Sequence, residues 1–174
     1  LQHGARRVFA LDVGRTQLHE RVRTDARVTV LDHTNARTMT AGTFDEPPDL
    51  FVVDVSFISV RMILPAMADA ARAGVRAVVL VKPQFEAGRA EAGRGRGVIR
   101  SAATHGRVLG EVVASAAACG WRPAGLMPSP LLGGAGNREF LLLLERADPG
   151  APPLPGFDVD AEIARACMEP TPGA

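Results

Sequence analysis

A doubly wound α/β fold on a mostly parallel sheet is what this 174-residue sequence predicts, on three observations. Short runs such as Leu50-Phe51-Val52-Val53 and Ala77-Val78-Val79-Leu80-Val81 are apolar without a break, as strands covered on both faces must be. Segments of helical character separate them, and parallel neighbours need such crossovers. Polar residues able to do chemistry stand where the runs end, and open sheets of this class bind ligands at the carboxyl ends of their strands.

Taken in order, residues 7–12 (Arg7-Val8-Phe9-Ala10-Leu11-Asp12) read as a buried strand that Val13-Gly14 ends. A short helix is expected over 16–23. Val28-Thr29-Val30-Leu31 is a second strand, closing in Asp32-His33-Thr34-Asn35. Asp45-Glu46-Pro47-Pro48 makes a turn into a third strand over 50–54. A helix over 60–73 should stop at Gly74, where a left-handed residue can close it. Residues 75–81 form the fourth strand. The Gly/Arg-rich stretch 87–97 has no period and reads as a long loop. Ser101 caps a helix that runs to Gly120. Residues 121–127 and 139–144 are the last two strands, joined by the Pro/Gly-rich 128–137. From Ala147 the composition turns to Pro, Gly and Asp, so residues 147–174 read as a poorly ordered tail with a short helix over 161–168. There are no internal repeats.

Composition narrows the class. Hydrophobic residues at 47% and charged ones at 22% fit a soluble globular domain able to bury one core. A formal net charge of +1 gives no strong global field, so an anionic partner must be held by a local patch. Cys119 and Cys167 make no disulfide framework, and His3, His19, His33 and His105 show no metal-ligand spacing, so no metal is expected. No apolar stretch approaches the ~18 residues of a membrane span and no signal peptide opens the chain. A cytoplasmic protein without a membrane partner is the expectation. The first residue is Leu1 rather than Met, so a start further upstream is expected as well.

The strand ends carry the chemistry. The first strand ends in Asp12, the third in Asp54 and the fourth in Lys82, while Asn137-Arg138-Glu139 opens the last. Lys82 is the single lysine among 20 basic residues. Arginine stays charged at any usable pH, whereas an ammonium is compact and can give up its proton when desolvated. Either that difference kept a lysine here, or it survived by chance at a strand end.

Several segments together resemble the TlyA family: Ala10-Leu11-Asp12-Val13-Gly14, Asn35-Ala36-Arg37, Asp54-Val55-Ser56-Phe57-Ile58-Ser59, Val81-Lys82-Pro83-Gln84-Phe85-Glu86-Ala87-Gly88, Gly97-Val98-Ile99-Arg100 with His105, and Gly136-Asn137-Arg138-Glu139-Phe140-Leu141. Those proteins are ribosomal RNA 2′-O-methyltransferases, also called hemolysins, with an FtsJ-like catalytic domain. The resemblance runs in order from Arg7 to Leu144 and does not cover the tail. It implies a class I methyltransferase (Rossmann-like) sheet over residues 1–146, in which two antiparallel strands follow the parallel run. The family's catalytic set is Lys-Asp-Lys-Glu, and Asp54, Lys82 and Glu139 stand at three of its positions. The first lysine, the glycine-rich S-adenosylmethionine loop with its strand, and an RNA-binding S4-like domain would all lie before Leu1. A partial sheet lacking that strand and loop is therefore expected, with residues 1–6 as the end of the helix that follows them.

The resemblance also implies roles. Lys82 would deprotonate a ribose 2′-hydroxyl or, if charged, stabilise the developing alkoxide. Asp54 would orient the lysine beside the transferred methyl, and Glu139 would fix the ammonium or the ribose. Asp12 would accept hydrogen bonds from the ribose hydroxyls of S-adenosylmethionine, and Asn35 would read its adenine edge. The expected partners are ribosomal RNA, with cytidine ribose as target, and ribosomal subunits. Arg89, Arg94, Arg96 and Arg100 stand against Glu91 alone in the glycine-rich loop, a local positive excess suited to RNA phosphates or simply a solvated loop.

Blander and competing assignments stay open. Asp12 and Asp54 can be strand-end carboxylates that bind loop amides, and Glu139 a surface residue paired with an arginine. His105 reads as packed or capping, and Cys119 as buried and inert. Asp54-Val55-Ser56-Phe57 occupies the place of the Asp/Asn-Pro-Pro-Tyr/Phe motif of amino-group methyltransferases, although both prolines are missing. A dehydrogenase lacks its GxGxxG. A non-catalytic fragment with weak RNA affinity is the remaining alternative.

Overall fold

The computed structural model describes residues 1–15, 17–88, 91 and 97–169. Six strands form among the described residues, β1 (Val8–Leu11), β2 (Val28–Leu31), β3 (Leu50–Val53), β4 (Arg76–Val81), β5 (Trp121–Pro128) and β6 (Phe140–Arg146). The helices among the described residues are α1 (Glu20–Arg23), α2 (Leu64–Ala70), α3 (Pro83–Glu86), α4 (Ala102–Ala118) and α5 (Val159–Met168), with short 3-10 turns between.

The strands fall into two sheets. One is the parallel pair β1-β2, and the other is four-stranded in the order β3-β4-β6-β5. β3 and β4 are parallel, whereas β6 runs antiparallel to both β4 and β5. The mixed α/β layout is thus present, but of the two closing strands β6 alone is reversed, since β5, antiparallel to β6, runs with β3 and β4. Between β1 and β3 the hydrogen-bonded order is broken. A cleft of about 520 Å³ lies there, lined among others by Arg7, Phe9, Pro47, Leu50, Phe51 and Val52. Leu50 is 53% and Val52 74% exposed, so one face of β3 lacks cover. Phe44 spans the break, its ring 5.2 Å from Phe9 and 6.2 Å from Phe51, which in turn meets Trp121 at 6.2 Å. Arg7 joins the same two regions from its edge, pairing with Asp45 at 2.6 Å.

The core sits on the four-stranded sheet. α4 turns His105, Val108, Leu109, Val112, Val113 and Ala116 inward, a helical stripe against β5 and β6. Trp121 is fully buried, and its indole N–H donates to the carbonyl of Leu64 at 3.2 Å, which fixes α2 to the sheet. Pro123 and Pro128 are tolerated because β5 is an edge strand, with a register shift between Pro123 and Gly125.

Several expectations change. The helix over 60–73 is a 3-10 turn, Val60–Met62, followed by α2, which ends when Ala71 turns extended (φ −96°, ψ 141°) well before Gly74. Residues 1–6 hold no helix; Gly4 sits at φ +90° in a turn closed by its N–H on the Leu1 carbonyl. The helix over 16–23 is only the single turn α1, which His19 caps. Within the tail, α5 is docked: Ala166 is fully buried and the Arg165 guanidinium donates to the Leu126 carbonyl at 3.0 Å. Arg138 donates to the carbonyls of Ala166 and Cys167 at 2.7 and 2.8 Å, capping the last turn. Cys119 is only partly buried, and burial raises its thiol pKa.

Candidate active site

Two neighbouring strand ends build the centre of the site. β3 delivers Asp54 and the turn that follows it, and β4 delivers Lys82. Pro83 begins α3 directly after Lys82, so the lysine is held extended (φ −112°, ψ 99°) at the helix entrance. Its side chain is only 12% exposed, and Nζ lies 2.6 Å from Asp54 Oδ1. Nζ also donates to Ser56 Oγ at 3.1 Å. An ammonium has three N–H bonds, and among the described residues two are satisfied, which leaves one for a ligand oxygen.

Phe57 follows at φ +65°, a conformation that costs a non-glycine residue roughly 1–2 kcal/mol. It is 92% exposed, and its ring lies 5.1 Å from that of Phe85. Glu86 holds this turn in place. Its buried carboxylate accepts from Ser59 Oγ at 2.5 Å and from the Val60 N–H at 2.7 Å, and it lies 3.3 Å from Arg61 Nε. Every one of these bonds ties the segment after β3 to the segment after β4. The spacing of Asp54, Ser56 and Phe57 from Lys82 and Phe85 is fixed by it.

Glu139 enters from β6. The register pairs Val81 with Phe140, so Lys82 and Glu139 lie one position beyond the last pair on adjacent strands. Glu139 is buried and accepts from Gln84 Nε2 at 2.8 Å. Behind it, Asn137 is buried with all its bonds internal, accepting from the Ile99 N–H at 3.0 Å and donating to the carbonyls of Gly97 and Gly134. His105 Nε2 lies 3.0 Å from the Ile99 carbonyl, so that nitrogen carries the proton, and the ring packs on Phe140 at 5.3 Å. Desolvation lowers the His105 pKa, the bond to Ile99 opposes this, and nearby Arg138 lowers it further. This is a packed histidine that fastens the segment leading into α4.

The remaining residues lie apart from that centre. Asp12, exposed past the end of β1, accepts the Gly14 N–H on Oδ1 at 2.7 Å, and its backbone bonds Leu31 and Thr34. Asn35, past β2, caps a 3-10 turn by accepting the Arg37 N–H at 3.0 Å. Both stand at the carboxyl ends of their strands but belong to the separate β1-β2 sheet. Arg100 is exposed, and Arg89, Arg94 and Arg96 lie outside the described residues. Glu91 pairs with Arg107 and accepts from Thr104 Oγ1 at 2.7 Å. Among the described residues no group of His, Cys, Asp and Glu could hold a metal ion, and no helix is long and apolar enough to cross a membrane.

Sequence reasoning missed Ser56, Gln84 and Glu86. All three lie inside the two motifs that drew attention to Asp54 and Lys82, but no spacing rule marks them. Glu86, for example, meets partners 26 and 27 residues away.

Comparison with known proteins adds an independent line. The FtsJ-like methyltransferase family matches residues 1–146. The chain is 44% identical over 145 residues to YqxC of Bacillus subtilis (strain 168), a candidate rRNA methyltransferase, covering 83% of this chain and 51% of the relative. It is 42% identical over 144 residues to the 16S/23S rRNA (cytidine-2′-O)-methyltransferase TlyA of Mycobacterium tuberculosis, covering 83% and 53%. Among solved structures, a candidate hemolysin of Streptococcus thermophilus superposes with a TM-score of 0.86 at 40% identity, over 95% of this chain and 59% of that one. The chain therefore spans about half the length of the curated relatives it matches.

Proposed function

Because this chain belongs to the FtsJ-like methyltransferase family, we propose that it takes part in S-adenosylmethionine-dependent 2′-O-methylation of ribosomal RNA, on ribosomal subunits in the cytoplasm, with a cytidine ribose as acceptor. Residues 1–146 would form the methyltransferase domain and 147–174 an appended segment. The observation that carries the reading is the ion pair of Lys82 with Asp54 at 2.6 Å, beside Ser56 and one register step from Glu139.

The donor set fits a nucleoside cofactor. Asp12 offers an exposed carboxylate at the end of β1, held by the Gly14 amide, as a diol requires, and Asn35 offers a carboxamide at the end of β2. S-adenosylmethionine supplies an electrophilic methyl group when bound. On the acceptor side, the chain must hold a ribose oxygen in line and stabilise the negative charge that grows on it. Lys82 does this as an ammonium: one N–H points to the 2′-oxygen while Asp54 and Ser56 fix the other two. Asp54, with its more exposed carboxylate, receives the hydroxyl proton or passes it to water. Glu139 orients the ribose from β6. Phe57 and Phe85 offer an aromatic surface at the rim, on which an unstacked base can lie. Arg89, Arg94, Arg96 and Arg100 would contact phosphates.

A single experiment tests this. The chain is incubated with ribosomal RNA and S-adenosylmethionine carrying a labelled methyl group, and the product is digested to nucleosides. Label on a ribose 2′-oxygen in the wild type and none with Lys82→Ala supports the reading. Label on a base amine assigns the amino-group chemistry of the Asp54-to-Phe57 segment instead. The broken order between β1 and β3 favours one other reading, a folded piece with weak RNA affinity and no catalysis. RNA binding with no methyl transfer and no heat on S-adenosylmethionine titration would assign that one.

A further inference from the structure

We propose that Gly133 and Gln84 are positioning residues that form a seat for the Glu139 carboxylate. The proposal rests on the reading of Glu139 as part of the methyl-transfer site. Gly133 sits at φ −73° and ψ −178°, a conformation open to any residue, so backbone freedom does not explain a glycine here. Space does. A Cβ built on Gly133 would collide with Oε1 and Cδ of Glu139, whereas one built on Gly134 meets nothing within 4 Å.

The backbone is held on both sides of the contact, and the buried Glu139 carboxylate is held by its bond to Gln84. The Gly133 N–H donates to the Asn137 carbonyl at 2.8 Å and its own carbonyl accepts the Gly136 N–H at 3.1 Å. Asn137 is in turn bonded to Gly97 and Ile99. The Glu139 carbonyl accepts the Ser129 N–H at 2.8 Å, which holds the backbone on the other side. Between these anchors the carboxylate occupies the space that a Cβ on Gly133 would take, and its Oε1 accepts from Gln84 Nε2.

Gln84 completes the seat. Its amide must face nitrogen toward a carboxylate, since the reverse would oppose two acceptors. That orientation leaves its buried Oε1 without a partner among the described residues, so the bond to Glu139 alone sets the amide. Gln84 stands two residues after Lys82 on α3. The seat thus ties the glutamate of β6 to the segment that carries the lysine, with no direct contact between the two charged groups required.

The test uses the full chain with carboxyl-labelled glutamate, the Glu139 resonance being assigned by its loss in Glu139→Gln. Gly133→Ala is expected to move the Glu139 carboxyl ¹³C resonance and to lower the thermal midpoint by about 2 to 4 °C. In a Glu139→Ala background the same substitution should cost nothing, because the colliding group is gone. Gly134→Ala is the control and should leave resonance and midpoint in place. Gln84→Ala reads the other half of the seat without adding an atom, and should move the resonance in a folded chain. An unmoved resonance in Gly133→Ala or in Gln84→Ala overturns the proposal. So does a Gly133→Ala loss that persists without the Glu139 carboxylate, or an equal loss in Gly134→Ala. These readouts need neither cofactor nor RNA, so a failure of methyl transfer and a failure of the seat are separate results.

Discussion

Lys82 and Asp54 are 2.6 Å apart, yet their side chains differ sharply in exposure, 12% against 65%. The lysine is nearly enclosed between β4 and the turn after β3, and its counter-ion faces solvent. Such a pair is asymmetric under mutation. Removing the exposed acid strands an enclosed ammonium, whereas removing the lysine leaves a carboxylate that water can solvate.

Asp54→Ala should therefore destabilise the fold more than Lys82→Ala, by about 1–3 kcal/mol against a smaller loss. Ser56→Ala, which deletes only one acceptor of the same ammonium, should cost about 0.5–1.5 kcal/mol. Urea unfolding of the three variants checks the order. On methyl transfer the order inverts: Lys82→Ala, and Lys82→Arg with its bulkier fork, should lose ~100-fold or more, as expected when a donor to a developing oxyanion is removed.

Phe57 makes a different prediction, because its conformation and its ring pull in opposite directions. The left-handed φ of +65° costs a non-glycine residue roughly 1–2 kcal/mol, while a ring 92% exposed recovers little by burial. Phe57→Gly should thus be more stable than Phe57→Ala by about 1 kcal/mol, and both should bind RNA more weakly than the wild type if the ring receives a base. Paired thermal melts and a filter-binding titration at fixed salt separate the two effects. Equal stability of the glycine and alanine variants would show that the turn stores no strain.

The strands were the most legible part of the fold in the sequence. Each of the six predicted apolar runs is a strand, with ends displaced by at most two residues, because an unbroken apolar run has few other ways to be buried. Helices were read less well. The stretch 60–73 carries enough Ala, Met and Leu for one helix, but Glu86 draws the Ser59–Arg61 turn toward β4 and Ala71 leaves the helix early. Asp54 and Lys82 were visible because strand ends converge in this class of fold, and the structure puts them in contact. Ser56, Gln84 and Glu86 were not, because each is defined by a partner on another segment. The break between β1 and β3 follows from the pairing order and has no signature within either strand.

His105 gives a pH dependence with a definite sign. Burial depresses its pKa, so the folded state resists protonation while the unfolded chain accepts a proton near the ordinary value of about 6.5. Stability is complete above that value and falls as the pH drops through the window beneath it, until the folded form also protonates. Of the groups facing the ring, the Ile99 carbonyl favours an imidazolium, but burial outweighs it and the charge of Arg138 opposes it, while Phe140 offers no charge. Melting curves between pH 7.5 and 5 (about 0.5 apart) should show a steeper loss for the wild type than for His105→Gln, whose amide keeps the bond to Ile99. Parallel slopes would mean that carboxylates elsewhere dominate the acid limb.

The break in the sheet carries the last prediction. β3 ends one sheet, and the face that holds Leu50 and Val52 is uncovered, 53% and 74% exposed. Unpaired strand edges beside exposed branched side chains are templates for pairing with another chain. The isolated 174-residue chain should accordingly associate as its concentration rises, and light scattering should report a growing hydrodynamic radius. Val52→Lys places a charge on that face without touching the core, because Val52 points away from the buried Phe51 and Val53. It should keep the chain monomeric to higher concentration at unchanged unfolding midpoint. Association that proceeds equally in Val52→Lys would move the contact elsewhere, to the apolar rim at Leu131, Leu132 and Met168. Association abolished together with a collapse of the midpoint would instead mean that β3 is already covered in solution, with Val52 part of a core that the charge destroys.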